Sequence, residues 1–196
     1  VGGTRNCDWW FTDQAVLIDT AGRFTTQDSD RENDRATWSG FLGLLKKARP
    51  RQPLNGVLVT VSITDLLMRN AAERAEHAAT VRQRLQELHE DLGIRLPIYL
   101  LVTKCDLLAG FMDYFATIDK DQRATPWGYT FGLDEASAQG LARFGAEFDA
   151  LHQRLVDGLI DRLQTERDPQ RRARIYAFPN QFAGVRGLLQ DFADAV

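Results

Sequence analysis

Residues Leu100–Asp106 read LLVTKCD. With Pro97, Ile98 and Tyr99 before them they make an apolar run that stops at a hydroxyl, a lysine and, one residue on, an aspartate. A short, continuous aliphatic run of this length reads as a buried strand rather than a half-exposed one. In open α/β sheets, ligands sit beyond the carboxyl ends of the strands. The fold therefore turns on what a cation and an anion are doing at that edge.

The neighbouring segments supply the rest of an α/β pattern. GVLVTVSI, residues 56–63, is a second β-branched run of the parallel-strand type. Between the two runs, residues 71–92 make a charged helix with Ala78, Val81, Leu85, Leu88 and Leu92 on one stripe and Gly93 at its end. Upstream, RATWSGFLGLLKKARP places Trp38, Phe41, Leu42 and Leu45 at helical spacing and stops at Pro50. CDWWFTDQAVLIDTAG reads as a hairpin: Cys7–Phe11, a turn at Thr12–Gln14, then Ala15–Ile18. Polar residues 23–34 read as a loop. Downstream, a short helix is expected near 110–118, a small hairpin around TPWGYTF, and a long helix over about 135–166. RIYAFP reads as a last strand, and residues 181–196 as a closing helix. Strands alternating with helices predict an α/β class with a largely parallel sheet.

Composition narrows the function. The chain has 196 residues, 44% of them hydrophobic and 26% charged, which suits one domain with a real core or one with an insertion. A net charge of −3 gives no support for non-specific binding to nucleic acid or anionic membranes. No window approaches the roughly 18 consecutive apolar residues of a membrane span. Cys7 and Cys105 read as free thiols of a reducing compartment. His77, His89 and His152 lack the spacing of a metal site.

A second strand end resembles the first. VLIDTAGR, residues 16–23, runs from apolar residues into Asp19 and then Gly22. A carboxylate at that edge can hold Mg²⁺ directly or through water, and the ion neutralises triphosphate oxygens. Gly22 has no side chain to obstruct a γ-phosphate, and its N–H can point at one. Alone, D-T-A-G also reads as an ordinary cap or turn. Thr103, Lys104 and Asp106 make it specific, because [N/T]-K-x-D at this place is a base-specificity motif of guanine-nucleotide-binding proteins. The lysine stem lies along base and ribose. The aspartate accepts two hydrogen bonds from the guanine N1–H and exocyclic amine, a pattern adenine does not offer. The two motifs in this order predict a P-loop NTPase fold of small-GTPase type. It is a three-layer domain with a mostly parallel sheet and a helical insertion or extension. Residues 1–110 and 173–196 would form its core, and 111–172 the insertion. Thr4 then suits the first-switch threonine that ligates Mg²⁺, and residues 23–36 the second switch.

Two departures temper that expectation. No G-x-x-x-x-G-K-[ST] occurs in the chain. The first strand and Walker A loop are expected upstream of Val1, and these 196 residues are expected not to hydrolyse nucleotide without them. Arg23 stands where Ras-like proteins carry the glutamine that orients water, and an arginine stays protonated. It suits charge stabilisation better than base catalysis. Gln27 is a distant substitute for the missing glutamine.

GGTRNCDWWFTDQAVLIDTAGRFTTQDS, with TKCD and IYAFPNQF downstream, closely resembles the cytoplasmic NTPase domain of the IcmF/TssM family of type VI secretion. The resemblance implies a domain on the cytoplasmic face of the bacterial inner membrane, carried by a membrane-anchored protein. It implies TssL- and TssJ-type partners, baseplate components and self-association of the full-length protein. It matches Asp19 and Gly22 to the Walker B motif, Thr103, Lys104 and Asp106 to the base motif, and Thr4 to the first switch. FPNQ, residues 178–181, would occupy the fifth-motif loop, without its usual S-A-K. The expected function is a GTPase-like domain binding Mg²⁺ and GTP, or ATP, as a switch or energy input with slow hydrolysis. The alternative is a degenerate, non-hydrolysing G-like domain that serves as an interaction scaffold.

Overall fold

The computed structural model describes residues 7–20, 22, 31–132 and 137–196. Four strands run in the order β1 (Asp8–Phe11), β2 (Val16–Asp19), β3 (Val57–Ser62) and β4 (Ile98–Thr103). The helices are α1 (Arg31–Ala48), α2 (Ile63–Met68), α3 (Ala71–Leu92), α4 (Phe111–Tyr114), α5 (Lys120–Ala124), α6 (Ser137–Asp157), α7 (Leu159–Thr165), α8 (Pro169–Ala183) and α9 (Arg186–Ala195). A 3-10 turn covers Cys105–Leu107.

Among the described residues the strands form two separate pairs, β1 with β2 and β3 with β4. The first pair is an antiparallel hairpin with Trp9 opposite Ile18, Trp10 opposite Leu17 and Phe11 opposite Val16. Thr12 makes its turn: Oγ1 accepts from Ala15 N–H at 3.0 Å, and Thr12 N–H donates to the Ala15 carbonyl at 2.9 Å. The second pair is parallel. Val57 N–H donates to the Pro97 carbonyl at 3.0 Å, and Thr103 Oγ1 donates to the Val61 carbonyl at 3.3 Å, so residue numbers rise together. A crossover through α2 and α3 permits this direction. Ser62 starts α2 as its cap, accepting from Asp65 N–H at 3.3 Å.

The contacts divide the chain into two compact units: residues 1–59, 71–99 and 195–196, and residues 60–70 and 100–194. In the first, Trp38, Leu42 and Leu45 of α1 pack against Leu88 and Leu92 of α3, and Ile18 and Val57 cover the cluster. Gly93 ends α3 with φ +69, its N–H reaching the His89 carbonyl at 3.0 Å. In the second, aromatic residues meet across three helices, α4, α6 and α8. Phe148 stacks on Phe182 at 4.5 Å, Phe178 meets Phe111 edge-on at 5.6 Å, and buried Tyr114 donates its hydroxyl to the Leu155 carbonyl at 2.5 Å. Gly110, at φ +87, lies where α4 meets α8, and a Cβ there would overlap the Arg174 carbonyl.

Several sequence expectations need correction. RIYAFP is not a last strand but part of α8, because Ile175, Phe178, Pro179 and Phe182 recur at helical spacing and are all buried. Residues 173–196 therefore close on α8 and α9. The expected long helix breaks at Gly158 into α6 and α7. No strand occurs in 119–132, where Trp127 instead packs on Phe115 and Phe182. Helix α1 starts at Arg31, inside the expected loop. The runs at β3 and β4 are not covered on both faces, since Leu58, Ile98, Tyr99 and Leu101 remain exposed.

Candidate functional site

The end of β4 makes a sharp, ordered turn. Lys104 sits in the left-handed region at φ 58 and ψ 27, alone among the described non-glycine residues. That conformation costs a non-glycine residue about 1–2 kcal/mol. Hydrogen bonds around it hold it there: Leu107 N–H to the Lys104 carbonyl and Leu108 N–H to the Cys105 carbonyl, both at 3.0 Å. Thr103 anchors the turn through its bond to Val61 on β3. Cys105 points inward, its thiol 3.6 Å from the Val102 carbonyl, and burial together with the charge of Asp106 pushes that thiol up. A raised thiol disfavours the thiolate, the form that reacts. The same turn leaves Lys104 and Asp106 exposed. Thr103, Lys104 and Asp106 are thus brought together on one strand end, with a cation and an anion displayed and the residue between them half-buried. The arrangement suits a planar polar ligand laid along the lysine stem and gripped at its edge by the carboxylate.

The end of β2 carries Asp19, also exposed. The hairpin register sets it directly opposite Asp8. Like charges facing each other across a ribbon are destabilising, and a divalent cation relieves that repulsion. Carboxylate oxygens such as these two are donors of the hard kind that Mg²⁺ takes. Composition and spacing did not single out Asp8. The turn centred between Asp13 and Gln14 was the available signal, because it pairs residues whose numbers sum to 27. A Cβ on Gly22 would meet no atom of the described residues within 4 Å.

The first of these groups belongs to one compact unit, and Asp19 with Gly22 to the other. Thr4, Arg23 and Gln27 lie outside the described residues. Among the described residues no cluster of three or more metal-ligating side chains occurs, and no helix is long and apolar enough to cross a membrane.

Comparison with known proteins adds two findings. The family model of the IcmF-related N-terminal domain matches residues 31–196. A type VI secretion system component, TssM1 of Pseudomonas aeruginosa, is 54% identical over 198 residues, covering 100% of this chain and 18% of its own length. The chain thus spans less than a fifth of that relative. No solved structure matches.

Proposed function

Because the chain belongs to the IcmF-related family, we propose that it is the nucleotide-binding domain of a type VI secretion membrane-complex protein, lying on the cytoplasmic face of the inner membrane. Its ligand would be Mg²⁺ with GTP, or less favourably ATP. The observation that carries the reading is the constrained Lys104 in T-K-C-D at the carboxyl end of a parallel strand. A left-handed non-glycine residue persists only where its surroundings enforce it, and such residues cluster at functional sites.

Each residue has a defined task in this reading. Lys104 lays its aliphatic stem along the base. Asp106 accepts from the N1–H and amine of guanine. Thr103 fixes the turn, and Cys105 anchors it from inside. Asp19, with Asp8 across the ribbon, holds the cation that neutralises phosphate oxygens when bound. Gly22 leaves room for the terminal phosphate and offers its N–H. Arg23 stabilises charge without removing a proton, and Gln27 is the weaker candidate for orienting water. Hydrolysis is accordingly slow, or depends on a partner. Thr4 is the switch threonine in this reading. TssL- and TssJ-type subunits, baseplate components and further copies of the full-length protein are the proposed partners.

A second reading is favoured by the exposed apolar residues of β1, β2 and β4: a non-hydrolysing scaffold that uses those surfaces for assembly. One titration separates the two. Fluorescent GTP and ATP analogues are added, with and without Mg²⁺, to protein extended upstream of Val1. Binding that needs Mg²⁺ and falls in both Asp19→Ala and Asp106→Ala supports the nucleotide site. Equal signals in all three proteins refute it.

A further inference from the structure

We infer that the pocket between α4, α7 and α8 binds a single small oxyanion of phosphate size, held by Arg162 and Arg171. Thr117, Thr165, Asp113 and Glu166 also line it. Its volume is about 70 Å³. Pockets for drug-sized molecules run to roughly 300–1,000 Å³, so a nucleotide does not fit and one anion does. None of these residues belongs to the T-K-C-D turn, so the inference stands apart from the nucleotide reading.

Unspent donors make the case. Arg162 spends Nε on the Tyr114 carbonyl at 2.9 Å and Nη1 on the Gly158 carbonyl at 2.8 Å. Its guanidinium lies 4.2 Å above the Tyr114 ring, which fixes its plane. It forms no ion pair with any described carboxylate, and Nη2 is left over. Arg171 uses only Nε, 3.2 Å from both Asp113 Oδ1 and Glu166 Oε2. Both of its Nη groups lack an acceptor among the described residues, and the Thr117 hydroxyl has no hydrogen-bond partner there either. Guanidinium forks of this kind match an oxyanion in both geometry and charge.

The two acids have their oxygens committed to other donors, which turns them away from the unspent Nη groups. Asp113 takes Nε of Arg174 at 2.5 Å and its Nη2 at 3.2 Å. The Arg174 hydrogen bond, with help from Arg171, holds the Asp113 carboxyl below its ordinary range. Glu166 Oε1 accepts from the backbone N–H groups of Arg167 at 2.8 Å and Asp168 at 2.9 Å. Among the lining residues two guanidinium groups, of Arg162 and Arg171, stand with two carboxylates, and Arg174, outside the lining, faces Asp113, Glu166 and Asp168. The unspent Nη donors of Arg162 and Arg171, rather than an excess of positive charge, are what an oxyanion would take up.

The test is calorimetric titration of the full chain with inorganic phosphate at constant ionic strength, with chloride and acetate as the other arms. Saturable phosphate binding is expected, weakened at least about tenfold in Arg171→Gln, the loss of one charged hydrogen bond. Arg171 is partly exposed, and circular dichroism checks that its variant folds. Thr117→Val, at an exposed position, is expected to weaken binding by about threefold. The inference is overturned if phosphate acts no differently from chloride, if acetate binds as tightly as phosphate, or if both variants bind like the parent.

Discussion

Phe178 and Phe11 are the same side chain in opposite circumstances: the first is 0% exposed and the second 77%. Phe178 sits among Phe111, Tyr114 and Phe115, within a helical unit that closes its own core. Phe11 stands on a two-stranded ribbon where Trp9, Trp10, Val16 and Leu17 are also exposed. Burying a phenylalanine side chain is worth about 1.5–3 kcal/mol. A helix shows one apolar stripe and needs one neighbour. A ribbon shows two faces and an edge, and reaches independent stability only with further strands or a covering helix. The helical region closes a core of its own, while the hairpin leaves apolar surface uncovered.

The sharpest way to break this contrast is truncation. Phe178→Ala should cost about 3–5 kcal/mol by the loss of packed volume. Phe11→Ala should stay within about 0.5 kcal/mol, as exposed substitutions do. Urea unfolding measures both, and equal losses would erase the difference between the regions. Next in size is Gly110→Ala. It combines a left-handed penalty with overlap against the Arg174 carbonyl, together about 3 kcal/mol, read as a lowered urea midpoint.

Asp113→Asn probes the helical region by pH. A carboxyl held below its ordinary value of 3.8 stabilises the fold above that pH, and the contribution fades as pH falls through the lowered folded value. The melting-temperature gap between parent and variant should be steady near neutrality and close below about pH 4. A gap that widens in acid would contradict the ion-pair account. The smallest effect is expected in the ribbon. Asp8→Asn relieves the repulsion facing Asp19, so stability without Mg²⁺ should rise by about 0.2–1 kcal/mol, while the stabilisation that Mg²⁺ gives should shrink. Thermal melts with and without Mg²⁺ check both signs.

Much of this architecture could be read from the chain itself. The β-branched run at residues 56–63 and the stripe through Ala78, Val81, Leu88 and Leu92 have single periods, and β3 and α3 follow them closely. RIYAFP misled because isoleucine, tyrosine and phenylalanine favour strands, while the decisive spacing lay further along, at Phe182. Helix α2 was missed because six residues hold less than two turns of period, and its signal is the Ser62 cap rather than a stripe. The site divides in the same way. T-K-C-D and its strand end were legible from residue types. The left-handed Lys104 was not, since no glycine or asparagine marks it. Asp8 needed the register of the hairpin, which is a property of the pair of strands and not of either alone.

The central claim is that Asp106 reads a guanine edge. The direct measurement is the affinity of the upstream-extended protein for Mg²⁺ with GTP and with xanthosine triphosphate, in the parent and in Asp106→Asn. Xanthine carries a carbonyl where guanine carries its amine, so an asparagine N–H should satisfy it. The account predicts that Asp106→Asn loses GTP affinity by at least about tenfold and gains it for the xanthine nucleotide. Unchanged affinities for both nucleotides would contradict it.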